Sequence, residues 1–271
     1  METSAVPELA SWTWDGAAFV PCTTLPLSDR GFRYGMSLFE SIRVARGQPL
    51  FLREHLQRLH QACFRRHIAV DARALEAVAR LLRGSALDGL ARVYVTAGDG
   101  SVTSPAAHPR IYVFAESRPA PDQQPYEIGV TEETFHALFG GLKTGNYWPN
   151  LSALENAYAR GFNEALLFNE RAELVSACMA NVFLVHGGAV RTPALECGAR
   201  NGVMRELVLK HLPVRQGSLF VQDVTSAEEI FLTSSWIGIR SVALVSGRPL
   251  SSRKVAESLA LVLDQLGIVG D

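Results

Sequence analysis

Apolar positions along the chain change their period several times, and each change marks an element. Near the start, Ser11-Trp-Thr-Trp reads as a strand ahead of a turn at Asp15-Gly16. Leu38 to Val44 and Pro49 to Leu52 flank Arg46-Gly47-Gln48, the pattern of a β-hairpin. From Arg53 to Ile68 the period becomes helical, with Leu56, Leu59, Cys63 and Phe64 on one stripe. Asp71 then caps a second helix that runs to about Arg83, turning Leu75, Val78, Leu81 and Leu82 inward. Arg92-Val-Tyr-Val-Thr and Arg110-Ile-Tyr-Val-Phe alternate like strands, so this half is α+β.

Three prolines fall between Arg118 and Pro125, which excludes a helix or a central strand and predicts a linker at 119–126. The division is therefore a small α+β domain at 1–118 and a larger domain at 127–271. In the larger one, strands are predicted at Glu127–Thr131, Ala165–Phe168, Asn181–Val185, Val190–Thr192, Glu229–Leu232 and Ile239–Val245. Helices are predicted at Asn150–Arg160, ending at the C-cap signal Gly161, and at Gly202–His211 and Ser251–Leu266. Turns separate these strands as often as helices do. That argues for a mixed barrel or sandwich over a doubly wound parallel sheet.

Composition narrows the function. The chain has 271 residues, 48% of them hydrophobic, ample for a buried core in one large or two smaller domains. A net charge of −1, with both signs scattered, gives no nucleic-acid footprint. No apolar run approaches a membrane span, and the polar start is unlike a secretory signal. Cys22, Cys63, Cys178 and Cys197 lack metal-ligand spacing, and His55 and His60 lie five apart rather than four. The expectation is a reduced, cytoplasmic protein without a metal. Of its 26 basic residues only Lys143, Lys210 and Lys254 are lysines, so imine chemistry has three candidates.

Three stretches are unusual as filler. Gly140-Gly-Leu-Lys143-Thr-Gly145-Asn-Tyr147 sets a lysine among glycines ahead of a helix. Arg200-Asn-Gly202-Val203-Met204-Arg205 opens a helix with a glycine, leaving backbone N–H groups for an anion such as phosphate. Leu232-Thr233-Ser234-Ser235 ends a strand in three hydroxyls. Each alone is also an ordinary cap or turn.

In this order, and together with Leu27-Ser-Asp29-Arg30-Gly31-Phe-Arg-Tyr34-Gly35, Leu38-Phe39-Glu40-Ser-Ile-Arg43, Arg53-Glu-His55-Leu-Gln-Arg58-Leu and Ala180-Asn181-Val-Phe183, they resemble the class-IV aminotransferase family. That family of fold-type-IV pyridoxal 5′-phosphate (PLP) enzymes includes branched-chain and D-amino-acid aminotransferases and aminodeoxychorismate lyase. The resemblance spans nearly the whole chain. It implies a two-domain α+β fold, a homodimer, and an amino acid and a 2-oxo acid as substrates.

Residue by residue, it implies that Lys143 carries PLP as a Schiff base and moves the proton at the substrate Cα. Arg58 would grip the cofactor phosphate, joined by the Val203 and Met204 amides and by Thr233 and Ser234. Tyr147 lies near the position of a phenol directed at the cofactor's 3′-oxygen, and Tyr34 and Arg43 match pocket positions. Ser176 stands where the family has the glutamate that keeps the pyridine nitrogen protonated, and Met36 where many members have aspartate. Glu173, three residues before Ser176, would have to reach in from a turn. Three functions stay open: transamination, a lyase reaction of the aminodeoxychorismate type releasing pyruvate, and a non-catalytic family member.

Overall fold

The computed structural model describes residues 9–103, 105 and 107–265. The chain forms two compact units, residues 1–121 with 143–146, and residues 122–142 with 147–271.

The first unit runs β1 (Leu9–Trp14), β2 (Phe19–Pro21), α1 (Arg30–Tyr34), β3 (Ser37–Ala45), β4 (Gln48–Pro49), α2 (Leu52–Arg65), α3 (Ala72–Arg83), β5 (Gly89–Thr96) and β6 (Arg110–Ser117). Its six strands form one antiparallel sheet in the order β2-β1-β6-β5-β3-β4. Period-2 alternation sorts β3 into two faces. Leu38, Ile42 and Val44 join buried Val93, Val95 and Val113, and α2 packs on β3 through buried Leu59 and Cys63. The other face carries an aromatic row. Phe39 stacks on Tyr94 at 4.7 Å between ring centroids, and Tyr94 meets Phe114 edge-on at 5.6 Å.

The capped helix is as read: the Asp71 side chain accepts from Arg73 N, and α3 ends at Arg83. The hairpin's second strand is shorter than the pattern predicts. It stops at Pro49 because Phe51 takes a left-handed φ of 51° and Leu52 already belongs to α2.

The second unit runs β7 (Tyr126–Thr134), α4 (Trp148–Ala159), β8 (Glu164–Phe168), β9 (Leu174–Ala177), β10 (Asn181–His186), β11 (Ala189–Pro193), α5 (Val203–His211), β12 (Val214–Gly217), α6 (Val221–Ser226), β13 (Glu229–Ser234), β14 (Gly238–Val245), β15 (Arg248–Pro249) and α7 (Lys254–Gln265). Its nine-stranded sheet follows β12-β11-β10-β13-β14-β7-β8-β9, with β15 on β14. The sheet is mixed: β7 pairs in parallel with both β8 and β14, and β11 with β12, while the remaining pairs are antiparallel. One face buries Leu166, Val182, Leu184, Ile230 and Leu232 in a continuous core. On the β8–β9 edge a smaller cluster gathers Ala153 and Ala157 of α4 with Leu167 and Cys178. Residue 266, the expected end of the last helix, lies outside the described residues.

Among the described residues no helix is long and apolar enough to cross a membrane, and no group of His, Cys, Asp and Glu could hold a metal.

Candidate active site

In the first unit, residues Lys143 to Gly145 lie along β3. Phe39 N donates to the Lys143 carbonyl at 2.9 Å, and Gly145 N donates to the Ser37 carbonyl at 2.9 Å. Leu38 and Thr144 form the bridge between these bonds. A Cβ on Gly145 would run into Ser37 Oγ, so any side chain there would have to turn that hydroxyl aside. The ladder turns the Lys143 side chain to the Phe39 face, where Nζ sits 4.2 Å from the ring centroid.

Glu40, the next residue of β3, points the other way, toward α2. Helical spacing puts His55 and Arg58 on one stripe facing it. Arg58 Nε donates to Glu40 Oε1 at 2.8 Å and Nη2 to Oε2 at 2.5 Å, while His55 Nδ1 lies 2.8 Å from Oε2. Burial pushes the Glu40 carboxyl up, but the Arg58 charge and the bonds from His55 and Arg58 outweigh it and hold it at about 2. Burial pushes His55 below its ordinary value, so the ring is neutral near pH 7 and its Nδ1–H donates to Glu40. This buried triad fixes the Arg58 guanidinium.

Tyr34 ends α1, with the Arg33 guanidinium 4.9 Å from its ring centroid. Arg43 is buried on the Phe39 face of β3, four residues further along, roughly 13 Å at strand rise. Burial lowers its guanidinium's pKa, opposed by the charge of Asp88.

In the second unit, the start of α5 meets the adjacent ends of β10 and β13. Asn181 and Thr233 are register partners. Asn181 Nδ2 donates to the Arg200 carbonyl at 2.8 Å, and its Oδ1 lies where a Cβ on Gly202 would fall. Gly202 is the N-cap and supplies no side-chain bond, so the Val203 and Met204 amides have no intrahelical acceptor. Thr233 is fully buried, yet its hydroxyl has no hydrogen-bond partner. Ser234 Oγ accepts from Ile237 N at 3.3 Å, and Ser235 closes the same turn.

Bare amides at a helix start and an unsatisfied buried hydroxyl suit an oxyanion such as phosphate. Arg205 braces the turn from behind, donating to Asn201 Oδ1, the Pro193 carbonyl and Gln216 Oε1. Tyr147 is the N-cap of α4, also without a side-chain cap bond, and its hydroxyl accepts from Arg200 Nη1 at 3.4 Å.

Ser176 sits on β9 opposite Leu167 of β8. Glu173 is occupied elsewhere: Asn169 Nδ2 and Arg171 Nε donate to its Oε2 and Ser218 Oγ to its Oε1. The Asn169 and Ser218 bonds, with Arg171, hold that carboxyl at about 2.

The structure thus groups Lys143 with Phe39 in the first unit, and Val203, Met204 and Thr233 in the second. Sequence reasoning gave no role to Glu40, His55 or Arg200. The signal for the triad was a lone carboxylate on the apolar face of β3, with His and Arg three apart on the following helix. Nothing in the sequence pairs Arg200 with Tyr147.

A lysine laid along β3 in the first unit and, in the second, a helix start suited to an oxyanion are each compatible with an enzyme that uses a phosphorylated cofactor. The chain belongs to the class-IV aminotransferase family, whose model matches residues 37–245. A D-alanine aminotransferase of Listeria monocytogenes is 25% identical over 254 residues, covering 85% of this chain and 86% of that one. An aminodeoxychorismate lyase of Vibrio harveyi is 26% identical over 244 residues, covering 84% and 89%. The crystal structure of 4-amino-4-deoxychorismate lyase from Pseudomonas aeruginosa superposes with a TM-score of 0.86 at 27% identity, covering 96% and 100%. The fold is that of the fold-type-IV enzymes, and the chain is an enzyme of the class-IV aminotransferase or related lyase type. Members of this family use PLP.

Proposed function

We propose that the protein is a PLP-dependent transaminase that moves an amino group between an α-amino acid and a 2-oxo acid. The observation that carries the fit to PLP is the buried, unpartnered Thr233 hydroxyl beside the uncapped start of α5. When bound, PLP supplies an aldehyde carbon that takes the amine and a ring that draws electrons from the substrate Cα.

Each residue then has a task. Lys143 Nζ holds the cofactor covalently and moves the proton at Cα. In the first unit Arg58, its fork set by Glu40, serves as a phosphate ligand, as the family resemblance implies; in the second, the Val203 and Met204 amides, Thr233 and Ser234 serve as phosphate donors. Ser176 offers the pyridine nitrogen a hydroxyl, which hydrogen-bonds but carries no negative charge. Glu173 does not substitute for the missing carboxylate, because its bonds tie it to Asn169, Arg171 and Ser218. Tyr34 and Arg43 contribute to the substrate pocket, and Tyr147 presents its phenol to the cofactor.

The enzyme works as a cytoplasmic homodimer. Exposed Leu27 and Phe32 in the first unit and Trp148 and Tyr158 in the second offer apolar surface that a second copy would cover.

The test adds a panel of amino acids to the purified holoenzyme. Conversion of bound PLP to pyridoxamine phosphate, with release of the 2-oxo acid, is the expected result. Pyruvate release from aminodeoxychorismate without that conversion would overturn the reading in favour of a lyase. Light scattering at working concentration tests the dimer, and a fully active monomer would contradict it.

A further inference from the structure

Arg200 is unlike the other buried or half-buried arginines of the second unit. Arg191 and Arg240 each meet a carboxylate, Arg205 meets three oxygen acceptors, and Arg248 donates to the Val224 and Ala227 carbonyls. Arg200 forms no ion pair among the described residues, and its Nε is buried without a hydrogen-bond partner. The side chain instead reaches Tyr147. Nη1 donates to the phenol oxygen at 3.4 Å, and the guanidinium carbon lies 5.6 Å from the ring centroid.

The backbone of Arg200 is itself fixed. Its carbonyl accepts from Asn181 Nδ2 at 2.8 Å and from Gly202 N at 2.9 Å. One residue therefore links the N-cap of α4, which is Tyr147, to the turn that opens α5. With its Nε buried and without an acceptor, the half-buried side chain is oriented by its contact with Tyr147.

We propose that Arg200 is a positioning residue, which holds the Tyr147 phenol in register with the start of α5 and acts on the bound cofactor through that phenol. The inference rests on the PLP reading given above. Its physical content is separate: a phenol that accepts from a cation presents its own O–H to a different acceptor in a single orientation. With a neutral side chain at 200, the phenol rotates and the cofactor loses that contact.

The experiment titrates PLP into apoenzyme, followed by tryptophan fluorescence and by the absorbance maximum of the bound cofactor. It compares wild type, Arg200→Met, Arg200→Lys, Tyr147→Phe and the Arg200→Met/Tyr147→Phe double variant. Arg200→Met and Tyr147→Phe should each weaken binding about tenfold, the effect of losing one charge-assisted hydrogen bond. Both should shift the absorbance maximum in the same direction, and the double variant should be no weaker than either single. Arg200→Lys, which keeps the charge, should recover part of the affinity. Losses that multiply to about a hundredfold in the double variant, or an Arg200→Met protein that binds like wild type, would overturn the proposal.

If wild type binds no PLP, the functional reading fails instead. The tie is then decided in the apoenzyme by the same double cycle on unfolding free energy. Coupling there upholds the link between the residues, and additivity removes it.

Discussion

Glu40→Gln removes the charge at the centre of the buried triad while keeping its shape. Glu40 is 3% exposed and receives three hydrogen bonds, two from Arg58 and one from His55. Its carboxyl falls from 4.5 in the unfolded chain to about 2 in the fold. At about 1.4 kcal/mol per pH unit this drop is worth roughly 3 kcal/mol, within reach of the ~3–5 kcal/mol cost of breaking a buried ion pair. The sign follows from linkage. A depressed carboxylate contributes its full stability above the unfolded value of 4.5 and loses it as pH falls toward about 2.

Urea unfolding between pH 2 and 7 measures this. Trp12 and Trp14 report on the first unit in a Trp148→Phe/Trp236→Phe background, because both of those tryptophans belong to the second. Glu40→Gln should destabilise the first unit by about 3 kcal/mol at pH 7 and flatten its decline below pH 5. A variant that tracks wild type through the whole acid range would refute the assignment of the charge to Glu40.

Three further outcomes follow from the second unit. Ser176→Glu restores a carboxylate where the fold offers a hydroxyl, and should accelerate half-transamination between about tenfold and a hundredfold, read in single-turnover absorbance. An unchanged rate with PLP still bound would count against Ser176 as the nitrogen's partner. Gly202→Ala drives a Cβ into Asn181 Oδ1 and should weaken PLP binding about tenfold or more, measured by cofactor titration. Burial raises buried Glu164 to about 7 even though Met179 N donates to it at 3.0 Å. The protonated form is therefore favoured in the fold, and the second unit loses up to about 3 kcal/mol as pH climbs from 4.5 to about 7. Glu164→Gln should abolish that slope in unfolding measurements on the Trp148 and Trp236 signals.

Much of the fold was legible because its elements follow the period of their apolar residues. The Leu59 and Cys63 part of the α2 stripe, the Asp71 cap and the alternation of β5, β6, β10 and β13 come from burial on one face, which periodicity reports directly. Phe64, expected on that stripe, is instead 78% exposed because it follows Cys63 around the helix onto the solvent side. Six elements did not reach that threshold, among them the very short β2, α1 and β15. β9 has four residues and is nearly all buried, β12 is Val-Arg-Gln-Gly on the sheet edge, and α6 has six residues. These are stabilised by neighbours distant in sequence rather than by local pattern. Helix ends moved for local reasons too, as where Phe51 turns left-handed and cuts the hairpin short.

The residues proposed for the site came from dispersed motifs, since Lys143, Gly202 and Thr233 each stand out against their flanks. What could not be read were pairings across elements. Glu40 meets Arg58 only because β3 and α2 pack together, and Arg200 meets Tyr147 only because the turn before α5 comes within side-chain reach of the α4 N-cap. Such contacts depend on register and packing, which no stretch of sequence encodes alone.

The central claim is that Lys143 carries the cofactor, and the chain's scarcity of lysine makes it open to direct test. Holoenzyme reduced with borohydride and digested should yield one pyridoxyl-bearing peptide, the one containing Lys143. A pyridoxyl group on Lys210 of α5 or Lys254 of α7, or on no lysine at all, would contradict it.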